Sequence, residues 1–292
     1  MSVSTDVKAQ FVDAYYEGAD QVPANWRPTF QFRSDDIASL KLGLLEGTAT
    51  VPSWNGSADL PQATVNDIGS KTVNYAQYGL QLRIRKLDAR DDGQLVPQVA
   101  RRLGRAVTNT YANIGAAVYM NAFGSTTVVP GSKALAATDH PLGTGGTRSN
   151  KLTSALDLAG IFAAIQLARQ WVDYDGAPYD LADGGWYLVF PTQGGLEQTV
   201  AQALGSQYTS DQMQVNTASS YGITGVPWNK ITDPTYWFMV SKTIMPLQFW
   251  ERQTPEDTVE IDGDSRQLKL SVDFACAAFC VAQPSGFIGS DA

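Results

Sequence analysis

Apolar and polar positions along the 292-residue chain change their spacing several times, and each change marks an element. Over residues 5–18, TDVKAQFVDAYYEG, the side chains of Val7, Phe11 and Tyr15, joined by Val12, share one face. That spacing predicts a short amphipathic helix, with Gly18 placed to end it. QVPANWRPTF follows, and its prolines and aromatics read as an extended arm instead of a packed element. Thr48–Trp54 and Ser70–Tyr78 have strand character, and Asn55-Gly56 and PQATVNDIG between them are rich in turn residues. Few apolar residues in this stretch are available for a private core, so a hairpin here must lean on another surface. Leu80–Arg85 then alternates as a half-buried strand does.

The strongest periodicity comes next. Val96, Val99, Leu103, Val107, Tyr111, Ile114 and Val118 form one stripe with helical spacing. Asp91-Asp92-Gly93 offers acidic capping before it, Pro97 is tolerated in a first turn, and Gly124 follows the predicted end at Phe123. Such a helix is about 40 Å long. Arg101, Arg102 and Arg105 mark its first half, and its second half carries no charge. A long helix without charge is enclosed by neighbours more readily than bathed in water. Residues 130–150 read as loop, and Thr153 or Ser154 caps a second helix. Leu158, Ile161, Ile165, Ala168 and Trp171 or Val172 give its buried face, and it stops near Asp175-Gly176. Trp186–Pro191 is a short buried strand, Gly194-Gly195 open a third helix, and 206–224 read as polar loop. Tyr236–Val240 and Leu247–Trp250 are strands. Val259–Ile261 and Leu268–Phe274 form a hairpin about Asp262-Gly263-Asp264, and Phe274–Val281 is a last apolar strand. Helices and strands without βαβ regularity make the fold class α+β, and no internal repeat is visible.

Composition sharpens this. Charged residues are 17% of the chain, below the roughly 25% of an average domain, so much of the surface is expected to meet other protein. The net charge of −8 disfavours a dedicated nucleic-acid binder, which needs clustered positive charge. One histidine, His140, and two cysteines, Cys276 and Cys280, nearly exclude a conventional zinc site. On one strand the cysteines stand about 13 Å apart, too far to bridge. The start, MSVSTDVKAQF, has no basic region followed by an apolar one, so no secretory signal is expected. The uncharged stretch 106–132 is too rich in Asn, Thr and Ser for a membrane span.

No catalytic, cofactor-binding or metal residue is nominated. Cys276 or Cys280 with His140 is the one conceivable nucleophilic set, but FACAAFCVA reads as core. His140 sits in the turn-prone Thr138–Leu142 and reads as structural or surface. Gly143–Thr147 lacks the strand, helix and Gly-Lys-Ser/Thr of a phosphate loop. Glu256, Asp257, Glu260, Asp262 and Asp264 do not match a calcium loop and read as a solvated hairpin face. Arg101, Arg102 and Arg105 suit ion pairs with another subunit.

The order of these elements resembles bacteriophage major capsid proteins of the Hong Kong 97-type fold, and most nearly the Mu-like prophage major head subunits. The resemblance is carried by Tyr78-Gly-Leu-Gln-Leu-Arg-Ile-Arg-Lys86, by Asp91-Asp92-Gly93 before the long helix, and by Thr138-Asp-His-Pro-Leu142 before the helix capped at Thr153. Leu188-Val-Phe-Pro191 and the closing Pro284-Ser-Gly-Phe-Ile-Gly289 add to it. It implies an N-terminal arm (1–35), an extended E-loop hairpin (36–80) and a P-domain with a long spine helix (81–150). An A-domain (151–255) and C-terminal strands returning to the P-domain (256–292) complete it. It implies pentamers and hexamers tiling an icosahedral shell around double-stranded DNA held non-specifically, without catalysis, cofactor or membrane. Assembly in the host cytoplasm with separate scaffolding, portal and decoration proteins is the matching expectation. Some members cross-link a hairpin lysine to a neighbour, and Lys41 and Lys71 lie in or beside this hairpin without a basis for that assignment. The alternatives are an encapsulin-type compartment, which shares the fold, and an unrecognised hydrolase.

Overall fold

The computed structural model describes residues 5–37, 39–46, 66–174, 176–178, 181–205, 217–262, 265, 267–281 and 285–292. The first half holds α1 (Thr5–Asp20), β1 (Gln31–Ser34), β2 (Ser39–Glu46), β3 (Asn66–Asn74), β4 (Ala76–Arg85), α2 (Lys86–Asp91) and α3 (Leu95–Met120). Short strands follow: β5 (Thr127–Val128), β6 (Lys133–Ala134), β7 (His140–Pro141), β8 (Thr147–Arg148) and β9 (Lys151–Leu152). The remainder is α4 (Leu158–Arg169), β10 (Trp186–Phe190), α5 (Leu196–Gly205), β11 (Ile223–Pro227), β12 (Tyr236–Ser241), β13 (Gln248–Ile261), β14 (Gln267–Phe279) and β15 (Phe287–Asp291).

Two larger sheets share one helix. The first has the order β1-β13-β14-β4. Leu268, Leu270, Val272, Phe274 and Cys276 of β14 point inward and are buried, and Lys269, Ser271 and Asp273 between them point out. The second sheet has the order β11-β10-β12-β15-β9 and is apolar on both faces. Trp186, Leu188, Trp237, Met239 and Ile288 pack with α4 and α5, while Val189, Phe238, Val240 and Phe287 belong to the core around α3. Period-two alternation between two covered faces explains why these strands read as unbroken apolar runs.

Helix α3 joins the sheets. Tyr111 stacks on Phe249 at 5.3 Å and Phe274 at 5.0 Å in the first sheet. Two turns later the fully buried Tyr119 meets Phe238 at 5.1 Å and Phe287 at 6.0 Å in the second. The uncharged half of the helix is thus covered by the chain's own sheet.

Several expectations change. The segment after α1 is packed: Trp26 is 1% exposed and lies flat on Trp228, centroids 5.3 Å apart and planes 1° apart. Phe30 is also buried, and β1 adds in parallel to β13, pairing Phe32 with Phe249. Three aromatics within a short span are worth several kcal/mol of burial, which outweighs the extended preference of the prolines. Asp157, not Thr153 or Ser154, caps α4, accepting from Gly160 N at 2.7 Å. Leu247–Trp250 and Val259–Ile261 belong to one strand, β13, whose register shifts between Gln253 and Glu256 where Pro255 cannot donate. Strand β11 takes the last two residues of the stretch read as loop, Ile223 and Thr224, runs on to Pro227 and pairs in parallel with β10. Of residues 256–292, β14 pairs with β4 in the first sheet, whereas β15 inserts between β12 and β9 in the second. Thr48–Trp54 and Asn55-Gly56 fall outside the described residues.

Gly18 does not end α1. It faces α3, where an added Cβ would stand 2.2 Å from Arg101 O, and a Cβ on Gly104 would stand 2.1 Å from Tyr15 O. The helices touch backbone to backbone at these glycines. Gly104→Ala is therefore expected to lower the unfolding free energy of isolated subunits by about 1–3 kcal/mol, although alanine is the better helix former. Gly124→Ala, with nothing within 4 Å, is expected to change it by less than about 0.5 kcal/mol. Urea denaturation of both variants checks this; equal stability of the two would refute the close crossing.

Candidate assembly surface

Strands β2 and β3 form a separate antiparallel ribbon. Lys41, Gly43, Asp67, Ser70, Thr72 and Asn74 are exposed, and Leu42 and Ile68 only half-buried. Its register shifts between Leu44 and Leu45, opposite Gly69 and Asp67, so Ile68 is a bulge residue. Gly69 has φ 141°, which a side chain disfavours, and its N–H donates to Asp67 Oδ1 at 3.0 Å.

The root of the ribbon is fixed. Val73 packs with Trp250, Phe279 and Val281, with Leu40, Leu42, Tyr75 and Val129 at the margin. The Lys71 ammonium donates to the carbonyl of Thr127, in β5, and to that of Cys280 at 3.0 Å, just beyond β14. Burial holds its pKa below the usual lysine range. Lys71 is thus a tether inside its own subunit, while Lys41, opposite Thr72 and one position nearer the root, is exposed. Neither role is visible in sequence spacing, because the acceptors are backbone carbonyls more than fifty positions away.

The chemical candidates separate. Cys276 and Cys280 are buried and in no disulfide, and burial pushes both thiols up to about 12, where little thiolate exists at neutral pH. His140 is fully buried, not at the surface, and its Nε2 lies 3.0 Å from Asn150 Oδ1. Asn150 is a hub that sequence reading passed over: Oδ1 also accepts from Ala137 N at 2.8 Å, and Nδ2 donates to the carbonyls of Leu135 and Phe287. One side chain thereby ties the loop 130–150 to β15. Gly145 and Gly146 have φ of 88° and 91°, a turn and nothing more. Arg101 pairs within its own chain with Glu17 at 2.8 Å, so it is not free for another subunit. Asp262 pairs with Lys269 at 3.2 Å. Among the described residues no group of three or more His, Cys, Asp and Glu is arranged to hold a metal, and no helix is long and apolar enough to cross a membrane.

A sequence model described as phage capsid protein matches residues 70–288, more than half of the chain. Among solved structures, the virus-like particle from Pyrococcus furiosus is similar with a TM-score of 0.60 at 11% identity, covering 97% of this chain and 98% of that one. The capsid of cyanophage P-SCSP1u follows with 0.59 at 11% identity, covering 90% and 86%. The capsid of Ralstonia phage GP4 gives 0.57 at 10%, covering 90% and 87%. At such identities these likenesses speak for the fold. No curated protein matches the chain.

The buried His140 sets a pH dependence. Burial first, then the charge of Arg148, lowers its pKa below 6.5 in spite of Asn150. Below 6.5 the unfolded chain takes up a proton that the folded chain resists, so this contribution is full above 6.5 and is lost as pH falls toward the lowered pKa. His140→Gln, which keeps a donor for Asn150, is expected to flatten the fall in stability between about pH 6.5 and 5, a slope of at most about 1.4 kcal/mol per pH unit. Urea denaturation of unassembled subunits across that range checks it; parallel curves would refute it.

Proposed function

The chain belongs to the phage capsid protein family and has the Hong Kong 97-type capsid fold, and we propose that it is the major head protein, closing as pentamers and hexamers into an icosahedral shell around double-stranded DNA. The observation that carries the assembly reading is the ribbon. A two-stranded ribbon is marginal in water on its own. Among its described residues the packed ones are at the root, and on this reading the ribbon gains further burial by lying across another copy. Obligate subunit contacts bury thousands of Å2, which such a ribbon helps to supply. The low charge content is consistent with a surface largely committed to protein.

The ribbon, residues 39–74, is assigned as the E-loop. The span read as 36–80 shortens because residues from Ala76 onward pair with β14. Strand β4, α3 and the first sheet make the P-domain, with α3 as spine. The second sheet with α4 and α5 makes the A-domain, and β15 joins it. Within the family we group the chain with Mu-like prophage head subunits, on the run Tyr78–Lys86 and the Asp91-Asp92-Gly93 turn before α3. The role is structural and without catalysis; buried, protonated Cys276 and Cys280 support this over a cysteine hydrolase. Assembly in the host cytoplasm with scaffolding, portal and decoration proteins completes the proposal.

The archaeal particle supports a second reading, an encapsulin-type compartment, since its fold covers nearly the whole chain. Double-stranded DNA in particles purified from lysed host cells distinguishes the first reading; particles holding protein cargo and no DNA favour the second.

Replacing residues 43–70 by a two-residue turn keeps Lys71, Val73 and Tyr75 in place. This variant is expected to remain a folded, soluble subunit by circular dichroism, with particle yield in negative-stain microscopy reduced at least about tenfold. Closed particles from it would overturn the assigned role of the ribbon.

A further inference from the structure

The first sheet is electrically lopsided. On the outward face of β4, Arg83 and Arg85 stand opposite Lys269 and Gln267 of β14. On β13, Glu256 and Glu260 face outward; Glu256 stands opposite another carboxylate, Asp273, and Glu260 stands opposite Lys269. Lys86 and Arg90, one helical turn apart on α2, extend the positive end. Arg83, Arg85, Lys86, Arg90, Glu256 and Glu260 are exposed, and none of these six makes an ion pair among the described residues. The positive end is also concave: a hollow of about 410 Å³ is bounded by Arg85, Lys86, Leu87, Arg90, Ser265 and Gln267. Leu87 beside it is 65% exposed, an apolar residue set in a charged rim as at the centre of a protein contact.

Both flanks are open. Among the described residues no strand lies outside β4 in the first sheet, and β1 covers β13 only from Gln248 to Glu251. The two charged edges are therefore on opposite sides of one sheet. Strand β14 stands between the two edges, and edges of opposite sign on opposite flanks favour head-to-tail contact between copies, the arrangement that closes rings.

Resting on the shell reading above, we propose that the basic edge formed by Arg83, Arg85, Lys86 and Arg90 docks on the Glu256–Glu260 edge of a second copy of this chain. The contact orients neighbouring subunits before their apolar surfaces engage. Its range is set by screening, about 10 Å at 0.1 M salt and about 3 Å at 1 M, so early assembly slows as salt rises.

Charge reversal tests the pairing. R85E with R90E, and separately E256K with E260K, are each expected to lower the yield of closed particles at least about tenfold, with circular dichroism of the subunits unchanged. Combining all four substitutions in one chain restores opposite signs across the contact, and yield is expected to return to within about threefold of the unaltered protein. An equal mixture of the two paired variants does the same without four changes in one chain, because each reversed edge then finds a complementary one. Paired variants that assemble normally, or neither combination rescuing assembly, would overturn the contact while leaving the shell reading intact. If R85E with R90E lowers only the DNA held by particles, the basic edge serves nucleic acid and the proposal falls. If the unaltered chain forms no particles, both readings fall.

Discussion

One helix has to satisfy two sheets. Helix α3 presents Tyr111 to the aromatics of the first sheet and, two turns later, Tyr119 to those of the second. Interiors packed at crystal-like density transmit displacement instead of absorbing it. The two sheets therefore keep their relation only while α3 stays seated. What seats it is close approach: α1 lies against it through Gly18 and Gly104, and Trp26 and Trp228 stack beside Gly115, where a Cβ would stand 3.0 Å from the Trp26 ring. The residues after α1, which look like a loose arm, are in fact part of the clamp on the spine.

That rigid body makes the ribbon intelligible. A projecting pair of strands is useful in assembly only if its root is held at a defined angle. Val73 and Lys71 do this with different physics. The valine joins a small apolar cluster of its own, separate from the two main cores. The lysine gives up solvation to reach two backbone carbonyls. Beyond the root lie the bulge at Ile68 and the glycine at φ 141°, a local change in the pairing of the two strands.

The parts legible in the sequence were those governed by one dominant spacing. The stripe from Val96 to Val118 specified α3, and the alternation over Leu80–Arg85 and Leu268–Phe274 specified two neighbouring strands that do pair, Leu82 with Leu270. The lack of a private core in the ribbon was also readable, and it was the feature that pointed to assembly. The misreadings arose where local chemistry was overruled from a distance. Gly18 looks like a helix stop until α3 occupies the space of its missing side chain. Pro28 and the residues around it look extended until Trp26 and Phe30 find the core. Ile223–Pro227 contains a glycine and a proline and carries no strand signal, yet β10 supplies its hydrogen bonds. Asn150 is the clearest case, since nothing local distinguishes a hub asparagine from a loop asparagine.

The tether at Lys71 links these levels. Its two acceptors belong to different parts of the body: Thr127 follows the end of α3, and Cys280 follows the end of β14. A single ammonium thus senses the position of the spine relative to the first sheet. Carbonyls bind it directionally, and no carboxylate partner is present in either bond to hold it by charge alone. Either bond weakens steeply if its acceptor leaves hydrogen-bond range. The root of the ribbon is thereby tied at one atom both to the segment that follows α3 and to the end of β14. Packing inside one subunit and reach toward the next are in this way one mechanical problem, solved by the same few contacts.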